Sequence, residues 1–351
     1  MLKSFRYLLF PFSLVYGGCI LLRNFLFDKN ILKSASFNFP LVCVGNLATG
    51  GTGKTPMVEY LVELLKKDHH PATLSRGYKR KTKGFAIATE RTTALDIGDE
   101  PMQFHEKFPG VTVAVGEERL EAIPQILHDR PETDVIILDD AFQHRSVRAG
   151  LNILLTEYKN LFSRDLMMPA GDLRDVKASR LRAQIIIVTK CKPGLDETEK
   201  ESIKKELRLL PHQLIFFTEI LYAQPYHLFT HAKNDISPNA DLLLISGIAN
   251  PKPMKEFLTT HVNSYDMLRY PDHHIFSSTD LREIKKHFDR ISSADKMIMT
   301  TEKDGVRLKK FEAELRDLPV FVLPIRHHFL FGEAETFNRE VVNFIRSFRK
   351  Y

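Results

Sequence analysis

A glycine-rich segment at residues 48–55 has the residue types and spacing of a phosphate-binding loop (P-loop). It reads Ala-Thr-Gly-Gly-Thr-Gly-Lys-Thr, with Ala48 where the strict pattern has glycine. An apolar run at Leu41–Val44 precedes it and a helical pattern begins at Pro56, the strand–loop–helix order that the motif requires. In such a loop, backbone N–H groups and the lysine bind phosphates, and the last hydroxyl binds Mg²⁺ at a helix N-terminus. The predicted nucleotide-binding residues are Thr49, Gly50, Gly51, Thr52, Gly53, Lys54 and Thr55, with Lys54 also neutralising charge during catalysis and Thr55 also a metal ligand.

A second apolar run, Val135–Leu138, ends in the acidic pair Asp139 and Asp140. A P-loop needs a carboxylate at the end of another buried strand to hold Mg²⁺ directly or through water. Asp139 is therefore the predicted second metal ligand.

The sequence favours ATP over GTP as the nucleotide. Guanine-specific sites usually carry Asn-Lys-x-Asp after a later strand, but residues 189–192 read Thr-Lys-Cys-Lys, without the aspartate. A membrane-associated partitioning ATPase is an alternative, because residues 50–55 resemble its variant loop. That loop needs a lysine just before the glycine pair, where Thr49 stands here.

Length and composition limit the class of protein. A chain of 351 residues corresponds to about two domains, and 43% hydrophobic with 27% charged residues is ordinary globular usage. Cys19, Cys43 and Cys191 lie far apart, which excludes a disulfide framework or zinc finger. The net charge of +6 favours anionic partners, but basic residues are not interleaved with aromatic ones, so we expect no nucleic-acid partner.

From about Pro40 the pattern alternates between strands and helices. The predicted strands are Leu41–Val44, Val111–Val115, Val135–Leu138, Ile153–Leu155, Ile185–Val188, Leu214–Phe217, Leu242–Ile245, Met297–Met299 and Val320–Leu323. The predicted helices are Pro56–Lys67, Glu117–His128, Glu197–Leu209, Ser278–Ile291 and Thr336–Phe348. Nearly continuous apolar runs are typical of parallel strands covered on both faces, so the pattern predicts an α/β doubly wound parallel sheet of the P-loop type. We expect a nucleotide-binding core over residues 39–221 and a smaller α/β subdomain over residues 222–351 that closes the cleft.

Residues 1–38 form a separate apolar segment. Tyr7–Leu22 is uncharged but only 16 residues long, whereas a spanning helix needs about 20. A signal peptide, a helix buried in the core and a helix lying on the membrane are all open interpretations. The helix lying on the membrane is favoured, because small and polar or basic residues form one stripe of the helix opposite a broad face of Leu, Phe and Val. The stripe consists of Lys3, Arg6, Ser13, Gly17 and Asn24. In that arrangement we expect Lys3, Arg6 and Arg23 near lipid phosphates.

Several motifs together resemble the tetraacyldisaccharide 4′-kinase family, the lipid A 4′-kinases of Gram-negative bacteria, over nearly the whole chain. Besides the P-loop they are Val44-Gly-Asn-Leu47, Leu74-Ser-Arg-Gly-Tyr78, Gly98-Asp-Glu-Pro101, Leu138-Asp-Asp-Ala-Phe-Gln-His144, Pro169-Ala-Gly171 with Leu173-Arg174, Ser246-Gly-Ile-Ala-Asn-Pro251, Pro271-Asp-His273 and Thr301-Glu-Lys-Asp304. The N-terminal apolar helix belongs to the resemblance as well. Asp172 departs from it, because an uncharged residue is expected after the glycine.

The resemblance implies transfer of the ATP γ-phosphoryl group to the 4′-hydroxyl of a tetraacylated glucosamine disaccharide 1-phosphate. It further implies an enzyme on the cytoplasmic face of the inner membrane, peripheral or monotopic, with an acylated lipid as partner and no obligate protein partner. The family motifs point to Asp99 as the acceptor of the hydroxyl proton and to His273 as its partner. From the residues alone, the favoured role of Asp99 is to cap a helix at Glu100–Phe108.

Arg119, Gln143 and His144 are the predicted contacts of the acceptor. Gln143 and His144 follow the metal carboxylates, at the strand ends where open α/β sheets bind ligands, and Arg119 opens the helix after Val111–Val115. Ordinary loop polarity and an exposed helix position are the alternatives. The roles of Glu302, Lys303 and Asp304 stay open.

Overall fold

Two α/β sheets frame the protein in a computed structural model that describes residues 6–348. The strands of the described residues are β1 (Ala35–Ser36), β2 (Leu41–Asn46), β3 (Pro71–Ser75), β4 (Ala86–Ile87), β5 (Thr112–Val115), β6 (Val135–Asp139), β7 (Val147–Arg148), β8 (Leu151–Glu157), β9 (Ile185–Thr189), β10 (Leu214–Tyr222), β11 (Tyr226–His227), β12 (Asp241–Ser246), β13 (Ser264–Arg269), β14 (Lys296–Thr301), β15 (Val320–Leu323) and β16 (Ile325–Phe329). The α-helices are α1 (Phe10–Asp28), α2 (Lys54–Leu65), α3 (Ala94–Ile97), α4 (Asp99–Lys107), α5 (Arg119–Asp129), α6 (Glu197–Leu207), α7 (Lys252–His261), α8 (Ser278–Asp289), α9 (Glu302–Leu308), α10 (Glu312–Leu315) and α11 (Ala334–Arg346). Short 3-10 turns lie at Tyr7–Leu9, Lys177–Arg182, Lys309–Phe311 and Leu330–Gly332.

The larger sheet has β2, the strand before the glycine-rich loop, at its centre. Its order is β16-β10-β9-β8-β2-β6-β3-β5-β4, and neighbours run parallel except at the edge strands β16 and β4. Leu41 and Cys43 of β2 pack into the core on one face, and Val42 and Val44 into the core on the other. Because helices cover both faces, the strand is buried throughout and apolar over Leu41–Val44, and the predicted doubly wound parallel sheet is confirmed.

The smaller sheet has the order β11-β15-β14-β12-β13, with β11 antiparallel to β15 and the other pairs parallel. Pro324 alone separates β15 from β16, which pairs with β10 of the larger sheet. Phe337 and Val341 of α11 then pack into a core of that larger sheet. The segment predicted as one subdomain, 222–351, is thus divided between the two sheets. Pairing with β16 covers an edge of β10 that would otherwise expose unpaired N–H and C=O groups.

Seven strands are absent from the sequence prediction: the two-residue strands β1, β4, β7 and β11, and the longer strands β3, β13 and β16. Strands β13 and β16 are edge strands, so half of their positions face solvent and carry charged or polar side chains. Strand β3 is fully buried, but its sequence Pro-Ala-Thr-Leu-Ser has one large aliphatic residue. Apolar runs in the sequence therefore identify interior strands built of large aliphatic residues, and they miss edge strands and strands of small residues.

Helix α1 lies along the protein surface with its stripe of small and polar residues facing inward. Ser13, Gly17 and Asn24 are buried, and only 17% of the apolar window in Tyr7–Asp28 is covered by protein. The side chains that face away from the protein are Tyr7, Leu8, Phe12, Leu14, Val15, Leu21, Leu22 and Phe25. By length and composition this helix could cross a membrane, and the interpretation as a buried core helix is wrong.

Polar contacts hold α1 along its length. Ser13 Oγ accepts a hydrogen bond from the Ala170 N–H at 2.9 Å, and Asn24 Nδ2 donates to Asp175 Oδ1 at 2.9 Å. Before the helix, Arg6 forms an ion pair with Asp172 at 2.9 Å, so the residue that departs from the family pattern has a partner on the N-terminal segment.

Two basic residues of this segment contact the protein. Arg23 donates to the Gln143 carbonyl at 3.0 Å, and Arg6 is engaged by Asp172. Protein carbonyl and carboxylate oxygens thus bind both guanidinium groups, and their proximity to lipid phosphates stays a prediction. Lys3 lies outside the described residues.

Candidate active site

The glycine-rich loop joins β2 to α2 at the carboxyl edge of the larger sheet. Gly50 and Gly53 have φ angles of 107° and 86°, which side-chain-bearing residues rarely adopt. Asn46 Nδ2 donates to Thr52 Oγ1 at 2.9 Å, and the Thr49 N–H donates to the Asp172 carbonyl at 2.8 Å. The loop is thus fixed at the N-terminus of α2, with Lys54 and Thr55 in the first turn of the helix.

Lys54 meets the acidic pair across the loop. Its Nζ lies 3.6 Å from Asp140 Oδ1, and Arg174 binds both carboxylate oxygens of Asp140. Arg174 also donates to Asn46 Oδ1 at 2.6 Å. Burial raises the pKa of Asp140, but Lys54 and Arg174 outweigh this and leave the pKa below its usual value. Arg174 belongs to a motif noticed in the sequence, but the site prediction omitted it.

Asp139 ends β6, the strand beside β2, and its side chain is buried. Ser75 Oγ donates to its Oδ2 at 3.1 Å. Burial and then the charge of Asp140 raise the pKa of Asp139 to about 6. A bound cation would favour the ionised form of such a carboxylate.

The donor set at this edge suits Mg²⁺. No group of three or more His, Cys, Asp or Glu side chains that could hold a metal occurs in residues 6–348. Mg²⁺ commonly takes one or two protein oxygens and completes its octahedron with phosphate and water. The carboxylate of Asp139 and the hydroxyl of Thr55 are hard oxygen donors of this kind.

Asp99 and His273, which are 174 positions apart in the chain, form a hydrogen bond of 2.8 Å between Oδ2 and Nδ1. Asp99 is the first residue of α4, and Gly98 occupies the N-cap position, so the alternative role of Asp99 as the cap is wrong. His273 follows β13 of the smaller sheet and has a φ of 64°. The pair therefore forms only where the two sheets meet.

Arg307, which the sequence analysis missed, completes this cluster. Its Nε donates to Asp99 Oδ1 at 2.9 Å, and its Nη2 donates to Oδ2. Lys303 Nζ donates to His273 Nε2 at 3.1 Å, so Nδ1 of His273 carries the proton that is donated to Asp99. Burial raises the pKa of Asp99, but hydrogen bonds from Arg307 and His273 outweigh it and hold the pKa well below its usual range.

Helix α9 supplies several of these contacts. Lys303 and Arg307 are four residues apart and thus share one helix face, a spacing that was visible in the sequence. Asp304 accepts hydrogen bonds from the Gly247 N–H at 2.9 Å and the Thr301 hydroxyl at 2.8 Å. Of the residues whose roles were open, Lys303 contacts His273, Asp304 contacts Arg307 at 3.3 Å, and Glu302 binds Lys107.

A buried ionic network fastens the two halves of the site together. Lys107 Nζ lies 2.7 Å from Glu59 Oε2 and 2.5 Å from Glu302 Oε1, and Gln103 donates to Glu59 Oε1 at 2.7 Å. Burial and then the charge of Glu302 raise the pKa of Glu59 to about 7. Helices α2, α4 and α9 are joined by this one ammonium group.

The three predicted acceptor contacts lie on neighbouring segments. Arg119 is buried at the start of α5 and its Nη1 donates to the Gly116 carbonyl, so the exposed-helix alternative is wrong. Gln143 Nε2 donates to the Asn46 carbonyl at 2.7 Å. Buried atoms without a hydrogen-bond partner among the described residues include Arg119 Nε, Gln143 Oε1 and His144 Nε2. Burial and then the charge of Arg119 lower the pKa of His144.

Known proteins share this sequence and this fold. The sequence profile of tetraacyldisaccharide-1-P 4′-kinase matches residues 5–346. The tetraacyldisaccharide 4′-kinase of Bacteroides thetaiotaomicron is 43% identical, over 96% of this chain and 93% of the relative. That of Flavobacterium johnsoniae is 44% identical, over 97% of each chain. The crystal structure of "apo" form LpxK from Aquifex aeolicus in complex with ATP superposes with a TM-score of 0.78 at 29% identity, covering 98% of this chain and 100% of that one.

These similarities extend over both sheets and the N-terminal helix, not over the P-loop alone. They decide against the partitioning ATPase and in favour of phosphoryl transfer to a lipid. The chain belongs to the tetraacyldisaccharide 4′-kinase family and is an ATP-dependent kinase of lipid A biosynthesis.

Proposed function

We propose that residues 49–55 hold Mg-ATP and that the Asp99–His273 pair receives the proton of the attacking 4′-hydroxyl group. The observation that carries this proposal is the hydrogen bond between Asp99 and His273 at the N-terminus of α4. Glu100, the next residue, lies close enough to Asp139 to influence its pKa, after burial and Asp140. We infer that the proton-accepting pair and the metal carboxylate face one cleft.

On the nucleotide side, backbone N–H groups of the loop and Lys54 bind the phosphates. Thr55 and Asp139 are the proposed Mg²⁺ ligands, and Asp140 orients Lys54 at 3.6 Å. When bound, Mg²⁺ neutralises charge on the β- and γ-phosphate oxygens. A protein catalyses phosphoryl transfer mainly by positioning the reactants and neutralising charge.

On the acceptor side, Asp99 is ionised and can accept a hydrogen bond from a hydroxyl group. Arg307 and His273 make it a weak base, which suffices if the hydroxyl loses its proton late in a loose transition state. His273 orients the carboxylate through Nδ1, and Lys303 fixes the other ring nitrogen at 3.1 Å. The Asp99 carboxylate takes up the hydroxyl proton as the new P–O bond forms and the bond between the γ-phosphorus and the departing ADP breaks, while His273, protonated at Nδ1, keeps its hydrogen bond to the carboxylate.

Arg119, Gln143 and His144 are the proposed contacts for the acylated disaccharide 1-phosphate. Their unpartnered buried atoms, together with the positive charge of Arg119, suit a polar anionic headgroup.

The test is transfer of γ-labelled phosphate from ATP to a purified tetraacylated disaccharide 1-phosphate. Asp99→Asn is expected to lose most of the transfer, whereas Glu106→Gln, seven residues along the same helix and ion-paired with Lys309, is expected to retain it. Equal transfer by both variants would contradict the assignment of Asp99.

We also propose that α1 lies on the cytoplasmic face of the inner membrane. Its contacts with the protein run from Ser13 to Asn24, so the docked helix lies flat and its apolar face is free to enter the lipid boundary. Each large apolar side chain buried there contributes roughly 1.5–3 kcal/mol.

Leu14→Glu combined with Leu22→Glu should release the protein from vesicles of anionic phospholipid in a flotation assay. High salt should release the unmodified protein only partly, because screening weakens ionic contacts and leaves apolar ones. A matched control, Lys67→Glu with Asp68→Lys on the far side of the P-loop helix, should still float. Flotation of the Leu14/Leu22 double variant would contradict the interfacial assignment.

A further inference from the structure

His327 reaches the glycine-rich loop from near the other end of the chain. It lies on β16, is 4% exposed, and its Nε2 is 2.9 Å from the carbonyl oxygen of Gly53. Its Nδ1 is 2.9 Å from Thr218 Oγ1 on β10. A Cβ atom added to Gly53 would meet the imidazole at 3.1 Å, so the ring packs directly against the loop. His327 is not among the site residues predicted from the sequence.

The two contacts define one tautomer of the ring. The Gly53 carbonyl only accepts, so Nε2 must carry the proton and donate it. Nδ1 is then an acceptor for the Thr218 hydroxyl. Burial lowers the pKa of His327 to about 4, so the neutral ring that this pattern requires is the form present near pH 7.

A second contact acts on the preceding peptide group. Thr189 Oγ1 donates to the Thr52 carbonyl at 2.8 Å. Two successive carbonyls of the loop are thus held by side chains of strands β9 and β16. In a trans peptide the N–H points opposite to the C=O of the same peptide plane. The N–H groups of Gly53 and Lys54 therefore point away from Thr189 and His327.

We propose that His327 is a positioning residue for ATP: it holds the Gly53–Lys54 peptide so that the Lys54 N–H is oriented for phosphate before the nucleotide binds. This inference rests on the proposed nucleotide site at residues 49–55. Backbone N–H groups are the phosphate ligands of such loops, and preorganising them avoids the loss of freedom that binding would otherwise incur. His327 does not touch the nucleotide itself.

The experiment compares three variants on the same strand. His327→Leu removes the donor, His327→Gln keeps an amide N–H that can reach the Gly53 carbonyl, and His328→Leu alters the neighbouring exposed histidine. The readouts are the dissociation constant of a fluorescent ATP analogue, the KM for ATP, the KM for the lipid acceptor, kcat and the melting temperature.

His327→Leu should raise the KM and the dissociation constant for ATP by about tenfold, with kcat and the lipid KM changed less than about threefold. His327→Gln should restore most of the affinity, and His328→Leu should match the unmodified protein. Unchanged ATP affinity in folded His327→Leu would overturn the proposal. The proposal would also be overturned if His327→Leu and His327→Gln lost ATP affinity equally and both had a lowered melting temperature, because that result indicates a structural role alone.

If His327→Leu does not fold, His327→Asn replaces it, since asparagine is polar but too short to reach the Gly53 carbonyl. Lys54→Ala is measured in parallel. Normal turnover in Lys54→Ala would remove the nucleotide site itself, whereas an inactive Lys54→Ala beside a normal His327→Leu would reject only the role of His327.

Discussion

The proposed phosphate side and the proposed proton-accepting side of this active site are built in different ways. The phosphate side is one contiguous loop, residues 49–55, with a carboxylate from the neighbouring strand. The proton-accepting side combines Asp99 from a helix on the larger sheet with His273 and Arg307 from the smaller sheet. The first is set by local backbone geometry, whereas the second exists only when two sheets are held together.

The difference shows where each side is vulnerable. We expect a change at Lys54 to remove a phosphate contact and to leave the fold intact, because Lys54 contributes charge and little packing. A change at the sheet junction alters both chemistry and the fit of the two sheets. Lys107 forms ion pairs with Glu59 on the P-loop helix and with Glu302 on α9, so the two sides are joined by direct contacts although different residues carry their chemistry.

The largest effect is expected from the phosphate side. Lys54→Ala should lower kcat on the order of 10³-fold, because a charge contact made in the transition state is worth several kcal/mol. Thermal unfolding should be unchanged, as in the exposed control Lys67→Ala. Near-normal turnover of folded Lys54→Ala would remove the loop from the mechanism.

The proton-accepting side can be tested by asking whether its two members act together. Asp99→Ala and His273→Ala should each lower kcat by about 10²-fold or more and raise the KM for ATP much less. Residues that act as a unit are non-additive, so the double variant should lose little beyond the worse single one. Fully additive losses in steady-state kinetics would show that the two residues act independently.

Arg307→Gln should have a smaller effect on rate and a distinct effect on pH dependence. Losing the hydrogen bonds to Asp99 should lower kcat roughly tenfold. In the unmodified protein the depressed pKa keeps Asp99 ionised as the pH falls. In Arg307→Gln that pKa rises towards about 4, so the acid limb of the pH–activity profile should shift to higher pH. The control Arg307→Lys keeps the charge; an unshifted acid limb in the Gln variant would show that Arg307 does not set the ionisation of Asp99.

The smallest effect concerns stability on the phosphate side. The pKa of Asp139 is raised to about 6, so the metal-free fold favours the protonated form. The raised pKa of Asp139 contributes to the free energy of unfolding in full below the unfolded pKa of about 4. This contribution, roughly 3 kcal/mol at most, is lost as the pH rises through 6. Asp139→Asn should therefore raise the melting temperature of metal-free protein at pH 8 but not at pH 4, while phosphoryl transfer is lost. A lower melting temperature of this variant at pH 8 would contradict the account of a buried, destabilising charge.

Sequence patterns determined the glycine-rich loop, the acidic pair that ends β6 and most interior strands, because each depends on neighbours in the chain. Glycines at 50 and 53 are needed for local φ angles, and a strand covered on both faces is mostly apolar. The pairing of Asp99 with His273 was available only through the family resemblance, since 174 residues separate them.

Tertiary structure alone decided which side chains complete the two sides. Arg307 and His327 carry no local signal of their contacts, because those depend on the angle between the sheets and on the return of β16 to the edge of β10. It also decided which way α1 faces. The sequence defines a small, polar stripe and an apolar face, but only packing against residues 167–179 shows that the stripe binds protein and leaves the apolar face free.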